Sequence, residues 1–203
     1  MFTEYEIETM LENQNISRAV LELKKDFLKT ESLYLEISEH DFLSLAMMAP
    51  TVGVALANGS VSLKEELALN KKARKLSKGG YFLKKDPVVY SLKFLIKKYD
   101  QWEEKFFNLI KLTMDELFDK KALHKDYDAA AEVTYAAYKH EVLHTPYIFI
   151  RYLSSFFLEN DEDIINIRSM VKVDYERMKE IGAKLGLKEI PVFHMFCQTF
   201  KVK

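Results

Sequence analysis

Apolar residues along this chain recur at helical spacing. Ile16, Val20, Leu23 and Phe27 follow one another at steps of three and four, with Leu21 beside them. They predict an amphipathic helix from about Ser17 to Thr30, whose polar face carries Lys24, Lys25 and Asp26. Short-range signals mark where helices should begin. Thr3 with Glu6 and Ser62 with Glu65 have capping-box spacing, and Ser38 with Asp41 is a looser version of it. A helix opening near Glu39 meets Pro50, which predicts a kink or break at Ala49, a second piece from Thr51 to Ala57, and a turn at Asn58-Gly59. From Ser62 a helix should run to about Ser77 and stop at Gly79-Gly80. Asp86-Pro87 then opens a periodic stretch to Asp119, one helix or two.

Further helices are expected from Tyr127 to Thr145 and from Pro146 to Leu158. Another should start at the Glu159 to Asp163 acid cluster and run through Val171, and one from Asp174 should stop at Gly186. A short amphipathic piece follows Pro191. No stretch alternates in the manner of a strand. The expectation is an all-α bundle of about eight helices, a single domain over residues 1–203.

Composition agrees. The 203 residues are 48% hydrophobic and 30% charged, which excludes disorder and low complexity, and six glycines with four prolines are too few turns for a many-stranded sandwich. A net charge of −1 supplies no global field for nucleic acid or an anionic membrane. The acidic start of the chain lacks the pattern of a signal peptide, and the longest apolar run, Phe42 to Ala57, is too short to cross a bilayer, so no membrane insertion is expected. One cysteine, Cys197, suits a reducing compartment. The expected location is the cytoplasm.

Three segments carry candidate chemistry. His140-Glu141-Val142-Leu143-His144 matches H-E-x-x-H, in which His140 and His144 could hold zinc and Glu141 activate a metal-bound water. Val133 and Ala137 continue the same stripe, so the pair would equally serve as core histidines. Thr145-Pro146 ends the helix at once, no third ligand is marked, and no strand offers a substrate edge. A di-iron bundle site would need a second Glu-x-x-His, which the chain lacks.

The second segment holds Lys71, Lys72, Arg74, Lys75 and Lys78, continued by Lys84 and Lys85 without an intervening acid. With Gly79-Gly80 and Tyr81 it reads as an anion-binding patch, or as a solvated helix C-terminus whose cations complement the dipole. Nucleic acid is not the expected partner, because no recognition motif accompanies the charge.

The third segment is Ala55-Leu56-Ala57-Asn58-Gly59-Ser60-Val61-Ser62-Leu63-Lys64-Glu65-Glu66. It resembles the signature of TerB-like tellurite-resistance domains: alanine, aspartate, glycine, any residue, an aliphatic, serine or threonine, then a glutamate three residues on. The resemblance implies an all-helical, cytoplasmic, stress-associated module that binds a divalent metal, here through Glu65 and Glu66. Asn58 stands where the signature has aspartate, which removes an anionic oxygen from that set. Nucleophile-elbow, Walker and Rossmann patterns are absent, which leans away from an enzyme. Two functional expectations follow: a noncatalytic helical protein, TerB-like, that binds a protein partner or a small ligand, or a zinc-dependent hydrolase built on His140, Glu141 and His144.

Overall fold

The capping signals become the helix entries. In the computed structural model Glu6 N–H donates to the Thr3 hydroxyl and the Glu6 carboxylate accepts from the Thr3 N–H at 2.8 Å; Ser62 and Glu65 repeat the exchange. Ser38 accepts from Asp41 N–H at 3.0 Å, and Asp86 accepts from Val88 and Val89. Each such cap satisfies a donor that the helix itself leaves open and stabilises it by about 1 kcal/mol.

The structure describes residues 2–31, 35–79, 86–118, 152–157 and 168–203. They form an all-α bundle with one small sheet. Its elements are α1 (Glu4–Leu11), α2 (Gln14–Glu31), α3 (Glu39–Met47), α4 (Ala49–Ala55), α5 (Leu63–Leu76), α6 (Pro87–Lys97) and α7 (Tyr99–Leu117). A helical stretch at 152–157 follows, then β1 (Arg168–Met170), α8 (Lys172–Lys184), α9 (Pro191–Gln198) and β2 (Phe200–Val202).

Pro50 sits in the first turn of α4, where a missing N–H is harmless, so the chain breaks at Met48 just ahead of it. The stretch expected as one helix or two after Asp86 is two, parted at Lys98 (φ −122°, ψ 29°). Gly79 and Gly186 take φ +67° and +76° beyond the ends of α5 and α8, so left-handed glycines stand where both helices were expected to stop.

One expectation fails. Residues 168–170 do not end a helix; they pair in parallel with 200–202, Arg168 opposite Phe200 and Met170 opposite Val202. Three-residue strands are too short to show alternation. A parallel pair needs a long crossover, which α8 and α9 supply.

The helix α3 is the axis of the core, buried at every residue from His40 to Met47. Phe42 meets Phe27 and Phe106 at ring-centroid distances of 5.6 and 5.7 Å, and Trp102 lies 4.8 Å from Phe27. Gly53 lets α4 approach α7 and α8: a Cβ there would lie 2.2 Å from the Tyr99 hydroxyl oxygen and 2.8 Å from Ile181 Cδ1. Arg177 and Lys184 of α8 both bond Glu103 of α7, at 2.6 and 2.7 Å, fixing α8 against α7.

Candidate functional site

Seven residues of helix rise about 10 Å, and positions i, i+4 and i+7 share a face. Glu65, Leu69 and Lys72 are such a set on α5, and with Ala68 they line a cleft of about 540 Å³. Thr51, Val54 and Ala55 of α4 form a second wall, with Phe156 and Phe157 beside them. The sheet and the start of α8 complete it with Arg168, Met170, Asp174 and Phe200 among others.

Lys72 lies at one end, 3% exposed. Its ammonium donates to the Thr51 hydroxyl at 2.7 Å and to the Ser155 carbonyl, while Thr51 donates on to the Phe156 carbonyl at 2.8 Å. This cation therefore joins α4, α5 and the 152–157 helix under the cleft. At the other end, Asn58 Nδ2 donates to Asp174 Oδ1 at 3.3 Å. Burial and the nearby Glu65 carboxylate raise Asp174 above the usual aspartate value, against the lowering effect of the Asn58 bond. Apolar side chains, Leu69, Phe156, Phe157, Met170 and Phe200 among them, share the lining about equally with polar surface, to which Lys64, Arg168 and Ser169 also contribute. Arg168 is held over the Phe196 and Phe200 rings at 5.3 and 5.4 Å and donates to Thr199.

The sequence-derived candidates fall in different places. His140, Glu141 and His144 lie outside the described residues. Among the described residues no group of three or more His, Cys, Asp or Glu is arranged to hold a metal. Glu65 gives one carboxylate oxygen, Oε2, to the Ser62 N–H and hydroxyl, at 2.7 and 2.5 Å, and Glu66 is turned about 100° from the cleft-facing stripe.

The basic stretch also divides. Lys71 and Arg74 are exposed and Lys75 is half-buried. Lys78 Nζ pairs with Glu8 at 2.8 Å, and Lys72 points inward. Arg74 and Lys75 occupy the last turn of α5, where they complement the helix dipole. Lys84 and Lys85 lie outside the described residues.

Thr51, Arg168 and Asp174 were not marked by any motif, because the cleft brings them in from separate elements. The inward aim of Lys72 did have a signal: it stands three after Leu69 and four before Leu76, on the buried stripe. Burial pushes the Cys197 thiol up to about 11, leaving it protonated and unreactive. Among the described residues no helix is long and apolar enough to cross a membrane. Comparison with protein-family models, with curated proteins and with solved structures finds no match to this chain.

Proposed function

We propose that this chain is a noncatalytic cytoplasmic binding module of the TerB-like kind, which holds a small, elongated ligand with an apolar body in the cleft along α5. The observation that carries the reading is the cleft itself. Its volume falls in the range of about 300–1,000 Å³ typical of small-molecule sites, and its lining divides about evenly between polar and apolar surface, with charged groups available to orient a ligand that the apolar side chains pack. Phe156, Phe157, Leu69 and Met170 would pack the body of the ligand, the Lys72–Thr51 end would face its acceptor group, and Glu65 with Asp174 would face a donor or cation about 10 Å away. The resemblance at residues 55–66 supports the stress-associated setting, and Ala55, Lys64 and Glu65 of that segment line the cleft. Glu65 enters here as a ligand-facing carboxylate and no metal is assigned to it.

Titration with an anilinonaphthalene sulfonate probe tests this. Saturable, near-stoichiometric enhancement by the wild-type chain, lost in Ala68→Trp while the circular dichroism spectrum is unchanged, is the expected result. Equal enhancement in both proteins would overturn it. Elemental analysis of the same preparation should find no zinc. One equivalent, lost in a His140→Ala/His144→Ala double variant, would instead favour the hydrolase.

A further inference from the structure

Side chains alternate between the two faces of a strand, so a cleft lying over one face is lined by every second residue. Arg168, Ser169, Met170 and Val171 all line the cleft along α5. Four in a row place the cleft along an edge of β1. The ladder decides which edge. Lys203 N–H donates to the Met170 carbonyl at 3.0 Å and Lys172 N–H to the Lys203 carbonyl at 3.2 Å. With Arg168 opposite Phe200, residues 168, 170 and 172 therefore turn their backbone groups toward β2, and Ser169 and Val171 turn theirs the other way. The Val171 carbonyl accepts from Tyr175 N–H in the first turn of α8. Ser169 N–H, Ser169 C=O and Val171 N–H are left aimed along the edge away from β2. Among the described residues β2 is the one strand beside β1. Such a row of outward donors and acceptors is a template for one more strand.

Charge gives that strand a direction and a length. β1 begins at Arg168, over the Phe196 ring, which lies 6.2 Å from Phe157; the neighbouring Ser155 carbonyl holds Lys72. It runs toward Asp174, which with Glu65 outnumbers Lys64 at that end of the lining. The two carboxylates repel each other, and a cation between them relieves the repulsion. The edge is cationic where β1 starts and acidic where it finishes. The seven residues of α5 from Glu65 to Lys72 separate the poles by about 10 Å, the span of roughly three extended residues at about 3.4 Å each.

We propose that the ligand of the cleft is a free tripeptide, bound as a third strand antiparallel to β1, its ammonium at Glu65 and Asp174 and its carboxylate at the Lys72 and Arg168 end. This rests on the reading of the cleft as a small-ligand site and adds the class of the ligand. The antiparallel register uses every outward group. Ser169 N–H donates to the terminal carboxylate, Ser169 C=O accepts from the third residue's N–H, and Val171 N–H donates to the first residue's carbonyl. The second residue stands opposite Met170, so an apolar side chain there packs against it.

Calorimetric titration of the full chain with free Ala-Leu-Ala, Ala-Met-Ala and Ala-Phe-Ala tests this, beside titration with the anilinonaphthalene sulfonate probe. One or more of the peptides should bind at one equivalent and displace the probe. Acetylating the amine and amidating the carboxylate should weaken binding by about tenfold or more. N-methylation of the third residue, which removes one hydrogen bond to Ser169, should cost about two- to tenfold, and the peptide should slow hydrogen exchange at Ser169 N–H. Val171→Pro suits the native φ of −72° and removes only an N–H turned away from β2. That variant should keep the fold and the probe affinity yet bind the peptide about two- to tenfold more weakly. Saturable probe binding without peptide binding would overturn the peptide and leave the cleft reading intact, whereas binding of neither would overturn both. Peptide affinity indifferent to capping, or to N-methylation with Ser169 exchange unchanged, would also overturn the proposal. Should Val171→Pro not fold, the modified peptides and wild-type exchange decide alone.

Discussion

The core around α3 and the cleft along α5 are built from opposite materials. The core is continuous: α3 is buried from His40 to Met47, and its ring cluster of Phe27, Phe42, Trp102 and Phe106 comes from α3 and the two long helices α2 and α7. The cleft is a mosaic. Its walls are the seven-residue α4, one face of α5, a helical stretch at 152–157 and two three-residue strands. A region made of long periodic elements gains stability from every residue on its inner face. A region made of short pieces is held in place by the polar contacts among them, and so it can leave space open. Substitution should therefore separate the two, with loss of stability in one and altered binding in the other.

The largest effect belongs to the core. Phe106 is fully buried and touches three other aromatic rings. Phe106→Ala should destabilise the fold by about 3–5 kcal/mol through lost burial and a residual cavity. Chemical denaturation followed at Trp102 would measure it, and a midpoint unchanged from wild type would show that the core is not centred there.

Lys72→Met probes the boundary, since Lys72 lines the cleft yet bonds like a core residue. Methionine fills similar volume but leaves the Ser155 carbonyl and the Thr51 hydroxyl without their donor. The expected loss is about 1–3 kcal/mol, the range for stranding buried polar groups, with weaker binding of the anionic probe. If stability fell and probe affinity held, Lys72 would belong to the scaffold alone.

Much of this division was legible beforehand. The capping pairs, the break before Pro50 and the glycines after α5 and α8 are set by residues three or four apart in the chain, and local chemistry of that kind is readable without the fold. The cleft was not readable because its members are far apart: Thr51, Lys72 and Ser155 meet through bonds spanning 21 and 83 residues. The sheet was hidden for a related reason, as three-residue strands bury too little to impose a pattern. Lys72 counted as surface charge because the basic run around it drew attention to sign instead of to register. The segment at Asn58 to Glu66 shows both sides. Its turn and cap were local and formed as expected, while the partner of Asn58 proved to be Asp174, 116 residues away.

The smallest effect sharpens the contrast from within the cleft. A carboxyl raised on folding binds its proton more tightly folded than unfolded, so Asp174 adds stability as pH falls toward the unfolded value near 3.8 and withdraws it as the group ionises above. Asp174→Asn removes this titration and the repulsion from Glu65 while leaving an oxygen for Asn58. At neutral pH the change in stability should stay within about 0.5 kcal/mol, as for other partly exposed polar sites. Its dependence on pH between about 4 and 7 should flatten. The anionic probe should bind more tightly, because the rim has lost a negative charge. Thermal unfolding across that pH range, paired with probe titration, reads both, and a loss of stability larger than that of Lys72→Met would place Asp174 with the scaffold and leave the cleft without its acidic pole.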